Sequence, residues 1–296
     1  MVAEVVAALG CRPDTSAVYL DGTVGLGGHT EAILKQTAPN GRVIGCDRDE
    51  AALSRAAVNL AAFGDRVTLR KAAFSELPAV FEALPQMEIA GALFDLGVSS
   101  LQLDEPTRGF SFRYPGPLDM RMDQSEGETA ADWLHRQSAD EIAETLREYG
   151  DERWAGRIAR AVVRHRTEVG AITRCEALEQ VIWRSVPPAA RHGRIHPATR
   201  TFQAIRMAVN REVDQLAAGL TAAAALLGLG GRLVVISFHS VEDRCVKQTF
   251  RHWEREAVGD RQFVLPCKKP IQPGEAEVAR NPRARSAKMR ILERAA

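Results

Sequence analysis

The chain has few cysteines, no uninterrupted apolar run and almost no net charge, and each lack narrows what it can be. Its five cysteines, Cys11, Cys46, Cys175, Cys245 and Cys267, are scattered and form no C-x-x-C pair. That argues against a disulfide framework and a zinc site, so no metal is expected and a reducing cytoplasm is the expected location. The longest apolar stretch, Leu220 to Phe238, is broken by Gly228, Gly230, Gly231 and Arg232. It reads as helix, turn and strand, so no membrane partner is expected. Neither an N-terminal signal pattern nor an internal repeat is seen.

The formal net charge of +1 conceals strong patterning. Arg121 to Glu152 holds ten acids against three basic residues, whereas Arg153 to Arg211 holds twelve arginines, no lysine and three glutamates. From Arg244 onward there are thirteen Lys/Arg against six acids. Separate acidic and basic faces are expected, the basic ones suited to nucleic acid.

What the chain does have is a glycine loop, Asp21-Gly-Thr-Val-Gly-Leu-Gly-Gly-His29. An apolar run ending at Leu20 precedes it and a helical pattern from Thr30 to Gln36 follows. Strand, glycine loop and helix open a doubly wound nucleotide-binding sheet, where backbone N–H groups and a helix N-terminus meet a ligand. Arg42 to Asp47 reads as the second strand, and Asp47 lies 20 residues after Gly27, where an acid accepts ribose hydroxyls. A dinucleotide fingerprint would have a third glycine where Thr30 stands. An S-adenosylmethionine site instead favours an acid four residues before G-x-G, where Asp21 stands. The methyl donor is therefore the expected cofactor, ahead of a nicotinamide.

Further strands are expected at 66–70, 89–95, 231–237 and 286–292. Phe74, after strand three, can lie against adenine or can be core. Asp95 ends strand four at the carboxyl edge, where open sheets bind ligands. A Pro/Gly-punctuated polar segment follows to Asp123, then helical patterns at 130–136, 139–149, 152–166 and 174–185. The expected fold is α/β: a Rossmann-like sheet formed by 1–105 and 199–296, with 106–198 as an inserted helical domain. Pro197 starts one long amphipathic helix, with Phe202, Ile205, Val209, Val213, Leu216 and Leu220 on its core stripe. Thr199, Gln203, Arg206 and Asn210 form a second stripe, poor in Glu and Lys and expected to face a ligand. Ser240 with Asp243 reads as a capping box. His239, at a strand's end, is either catalytic or a packed loop histidine.

Taken together, several of these stretches resemble one family. They are the glycine loop, Phe94-Asp-Leu-Gly-Val-Ser-Ser100 with Gln102 and Asp104, Arg108-Gly-Phe-Ser-Phe112 and Pro117-Leu-Asp-Met-Arg-Met-Asp123. His196-Pro-Ala-Thr-Arg-Thr-Phe-Gln203, Ser237-Phe-His-Ser-Val-Glu-Asp243 and Asn281-Pro-Arg-x-Arg-Ser-x-Lys288 complete the set. They are similar to the bacterial 16S ribosomal RNA cytosine-N4 methyltransferases, the MraW/RsmH family. The resemblance implies a class I methyltransferase sheet with an inserted helical substrate domain. It implies S-adenosylmethionine contacts at Gly27, Gly28, His29, Asp47, Phe74, Asp95 and Gln102, which favours the adenine role for Phe74. Asp95, Ser99 and His239 become the catalytic candidates. Arg108, Arg121, Gln203, Arg206, Arg283, Arg285 and Lys288 become the candidates for contact with RNA. The implied partner is 16S ribosomal RNA in the small subunit, and a homodimer is one arrangement the sequence allows. Two rival readings are an amino methyltransferase with another nucleic-acid target, and a non-catalytic, nucleotide-sensing RNA-binding protein. The first usually carries D-P-P-Y-like residues after strand four, which this chain lacks.

Overall fold

The structure is a computed structural model that describes residues 1–83, 88–193 and 195–295. Short apolar runs form seven strands: β1 (Val18–Asp21), β2 (Arg42–Asp47), β3 (Val67–Lys71), β4 (Ile89–Asp95), β5 (Leu227–Ser237), β6 (Phe263–Val264) and β7 (Lys288–Arg294). They make one sheet in the order β3-β2-β1-β4-β5-β7-β6. Strands β1 to β5 pair in parallel, and β7 runs antiparallel to its neighbours β5 and β6. The order reverses between β1 and β4, the switch point outside whose carboxyl ends such sheets bind ligands.

The chain divides into two compact units, residues 1–97 with 213–296, and residues 98–212. In the sheet unit, helices Gly28–Gln36, Glu50–Asn59 and Leu77–Glu82 follow β1, β2 and β3. Both faces of the sheet are covered. One buries Leu20, Phe94 and Val235 with Leu220 and Phe250, the other Leu93, Val234 and Ile291 with Val5, Ile33 and Leu34. A β4 that is apolar on both faces is what a central parallel strand requires. Each such Leu, Ile or Phe stabilises the fold by about 1.5–3 kcal/mol through its burial.

In the helical unit, Ala130–Arg136, Ala139–Gly150, Ala155–Glu168, Cys175–Ser185 and Ala198–Val209 pack around Trp133, Ile142, Leu146, Ile158, Leu178, Phe202 and Ile205. Thr129 and Ser138 cap the first two helices, with Asp132 and Glu141 returning the bond. The boundaries read from sequence, 105/106 and 198/199, therefore both move. Phe202 and Ile205 bury their side chains in this helical core, which carries their whole helix with it.

The single helix expected from Pro197 to Leu220 is instead two, Ala198–Val209 and Glu212–Leu226. Arg211, at φ 49°, turns the chain between them, and the two units part at that junction. Periodicity ran on unbroken because both helices have apolar stripes of the same spacing.

The break also explains Asn210. Its Nδ2 donates to the carbonyls of Met120 (2.7 Å) and Arg206 (2.8 Å), and its Oδ1 accepts from the Met122 N–H (2.8 Å). Leu118, Met120 and Met122 are buried, so the polar-looking segment before Asp123 is partly core. Asn210→Ala would leave a buried carbonyl and a buried N–H without this partner. It is expected to cost about 2–6 kcal/mol, at about 1–3 kcal/mol per stranded group. A urea-unfolding midpoint unchanged from wild type would refute that.

Candidate active site

The glycine loop turns at Gly27, which has φ 91° and caps helix Gly28–Gln36. Only glycine adopts that region without strain. Asp21, at the end of β1, is fully buried and accepts from the Thr23 N–H (3.1 Å) and the Thr30 hydroxyl (2.7 Å). Thr30 stands where a dinucleotide fingerprint has its last glycine, and its hydroxyl is what ties the helix to the strand. Burial pushes the Asp21 carboxyl above its usual range. Asp21 is thus the anchor of the loop, held by its own neighbours.

Asp47, at the end of β2, accepts from the N–H groups of Gly25 (2.8 Å) and Asp49 (2.9 Å). Burial pushes its carboxyl up to about 6. A carboxylate offers about four acceptor positions, so these two bonds leave capacity for a ligand's hydroxyls.

At the end of β4 the backbone N–H of Asp95 donates to Thr23 Oγ1 (2.6 Å), fastening this strand to the glycine loop. His29 Nε2 lies 3.4 Å from Asp95 Oδ2. Burial alone would lower the His29 pKa, but the hydrogen bond and charge of Asp95, with the charge of Asp21, raise it overall. Asp95 Oδ1 and His29 Nδ1 are both buried and have no hydrogen-bond partner among the described residues. Buried polar atoms are nearly always paired, so two such atoms on neighbouring side chains at the switch point make this a candidate place for ligand polar groups.

Phe74 packs against Phe94, ring centroids 4.8 Å apart, while Ser75 is pinned by Gln215 through bonds of 3.0 and 3.1 Å. Gly219 lies against Phe74, where a Cβ would come within 2.8 Å of it. The ring is half-buried and held in place.

His239 caps helix Ser240–Arg255, with Nδ1 accepting from the Glu242 N–H (3.4 Å) and Nε2 2.9 Å from Glu242 Oε1. The capping box is therefore His239 with Glu242, one position before the Ser240 and Asp243 read from sequence. Asp243 instead pairs with Lys288 (3.1 Å) and Arg290 (2.7 Å) on β7. Burial would raise its carboxyl, but these two cations hold it below the usual range. Both nitrogens of His239 are thus engaged in fixing the helix start.

In the helical unit, Ser99 and Gln102 close a capping box on each other, with bonds of 3.2 and 3.0 Å, and Gln102 is buried. Several candidates for RNA contact serve the unit's own structure. Arg108 is buried and donates to the carbonyls of Arg121 (3.2 Å) and Met122 (2.9 Å). Arg121 forks onto Asp119 through two bonds of 2.9 Å. Gln203 donates to the Tyr149 carbonyl (3.0 Å), and Arg206 makes two bonds of 2.7 Å to Glu212. The stripe expected to face a ligand is in this way bonded inward at Gln203, Arg206 and Asn210. Of the seven candidates, Arg283 and Arg285 are the exposed ones, on the turn Pro282–Ser286 of the sheet unit. Sequence reasoning missed Thr23 and Glu242. An acid followed two residues later by Thr is a signal for the Asp21–Thr23 turn; Glu242 had none beyond its distance from His239.

The chain matches the MraW methylase family over residues 1–295. It belongs to that family. Curated relatives include proteins named Ribosomal RNA small subunit methyltransferase H. The one from Sorangium cellulosum is 48% identical over 291 residues, covering 98% of this chain and 88% of that protein. The one from Solidesulfovibrio magneticus is 47% identical over 307 residues, covering 99% and 94%. Among solved structures, an rRNA methylase from Streptococcus thermophilus overlays with a TM-score of 0.44 at 12% identity, covering 98% of this chain and 92% of that one. The sheet is assigned from its own strand order, not from that likeness. Among the described residues no helix is long and apolar enough to cross a membrane.

Binding of S-adenosylmethionine by this MraW-family chain is expected to weaken as pH falls through about 6, where Asp47 takes up a proton and loses acceptor capacity. Calorimetry across that range should show a shallower pH dependence for Asp47→Asn, and a profile identical to wild type would remove Asp47 from the ligand site.

Proposed function

We propose that the chain transfers the methyl group of S-adenosylmethionine to the exocyclic N4 of a cytidine in small-subunit ribosomal RNA. The observation that carries this reading is the pair of buried, unpartnered atoms on Asp95 and His29 at the switch point of an MraW-family sheet. When bound, S-adenosylmethionine supplies a methyl group on a positively charged sulfur. The chain's residues then divide the work of holding it. Gly27 and Gly28 let the ligand approach the backbone, Asp47 accepts the ribose hydroxyls, and Phe74 lies against adenine. Asp95 faces the cationic end, with His29 beside it.

The N4 lone pair of cytosine is delocalised into the ring, so the amine is a weak nucleophile. The target base must leave its stack and be held with N4 in line with the methyl–sulfur bond. An acceptor for the amino hydrogens stabilises positive charge as it develops. The carbonyls and hydroxyls of residues 97–100 are the proposed acceptors, and a strong base is not needed before transfer. His239 supports the site through the helix it caps. Arg283 and Arg285 are proposed to meet phosphates.

Carbon methylation is the chemical competitor, and it requires a thiolate attacking C6. Burial works against that here: the thiols of Cys11, Cys46 and Cys175 are pushed up to about 11, 12 and 12, and that of Cys245 is raised. Incubation with small subunits and labelled donor, followed by nucleoside analysis, is expected to give N4-methylcytidine alone. Recovery of 5-methylcytidine, or of no methylated nucleoside, would overturn the proposal.

A further inference from the structure

Among the arginines of the helical unit two groups stand out. Those described above, together with Arg166, whose Nη1 donates to the carbonyls of Leu134, His135 and Gln137, hold the unit together. A second group surrounds the start of helix Ala155–Glu168. Arg153 lies over the Trp154 ring, 4.5 Å from its centroid, and Arg157 lies 5.7 Å from it. Arg147, on helix Ala139–Gly150, and Arg160 both lay guanidinium groups over Gly156, 3.7 and 3.5 Å from the point where a Cβ would stand.

All four side chains are exposed, and among the described residues none makes a hydrogen bond or an ion pair. The nearby Glu152 is buried, with Oε1 accepting from the Trp154 N–H (2.8 Å). Like charges three and four residues apart on a helix oppose its formation. Two guanidiniums converging on one glycine from two helices add to that repulsion. A bound anion would offset that repulsion more than screening by water and salt does.

Resting on the reading above of an RNA substrate, we infer that Arg147, Arg153, Arg157 and Arg160, gathered around Trp154 and Gly156, bind the phosphodiester backbone of the ribosomal RNA. Planar guanidiniums fork onto phosphate oxygens, and those of Arg153 and Arg157 are pre-oriented by the indole face. Such contacts position the RNA without reading its sequence.

The test compares wild type with R147A/R160A and R147K/R160K. Affinity for naked 16S ribosomal RNA is measured across a range of salt, and KM and kcat are measured on small subunits. Loss of two phosphate contacts should flatten the log affinity against log salt slope by about 1.4, at roughly 0.7 per contact, and weaken binding about tenfold near 0.15 M salt. KM should rise with kcat unchanged. Binding of S-adenosylmethionine and the melting temperature should match wild type, and the lysine pair should recover most of the slope. An unchanged slope and KM in R147A/R160A would overturn the inference. So would loss of binding to vesicles of equal phosphatidylglycerol and phosphatidylcholine with RNA affinity intact, which would make the patch a membrane contact. If wild type binds RNA with the expected salt dependence but transfers no methyl group, the proposed reaction fails while this surface stands.

Discussion

Asp21 is a carboxylate buried where water cannot reach it, and its two hydrogen bonds determine the shape of the sheet's working edge. One oxygen takes the Thr23 N–H and the other the Thr30 hydroxyl. The first bond sets the turn out of β1, and the second fixes where the following helix begins. Thr23, placed by that turn, accepts from the Asp95 backbone and so brings the end of β4 to the same point. His29, on the first turn of the helix, then falls beside Asp95. A charge in such a position would be costly unless bonded, and the Thr23 N–H and the Thr30 hydroxyl supply those bonds.

The helical unit rests on a comparable knot with a different composition. Asn210, Arg108 and Asp119 bind the backbone around Met120, which is buried at φ 61°. A non-glycine residue in that region persists only when its surroundings hold it there. Polar residues that look in sequence like a binding stripe are the groups that close this knot. The arginines around Trp154 and Gly156 lie outside it, and the absence of ion pairs with the other described residues separates them from the structural set.

The sequence by itself determined the sheet's first half and its ligand edge. Alternation, turn residues and the glycine loop are local properties, so β2 and β4 begin and end where they were read, and Asp47 and Asp95 fall at strand ends as expected. It also determined, through the spacing of its motifs along the whole chain, which family it belongs to.

What only the tertiary structure decided is which polar groups are left over once the fold is satisfied. Arg108 and Arg283 are the same residue type in similar basic motifs, yet one is buried under backbone carbonyls and the other is exposed. Asp21 and Asp95 both end apolar strands, yet Asp21 has each oxygen bonded and Asp95 keeps a buried oxygen with no partner among the described residues. The break at Arg211 likewise depends on Asn210 meeting Met120 and Met122, some ninety residues away along the chain. Hydrogen-bond satisfaction is a property of all the neighbours at once, and neighbours distant in sequence leave no periodic trace.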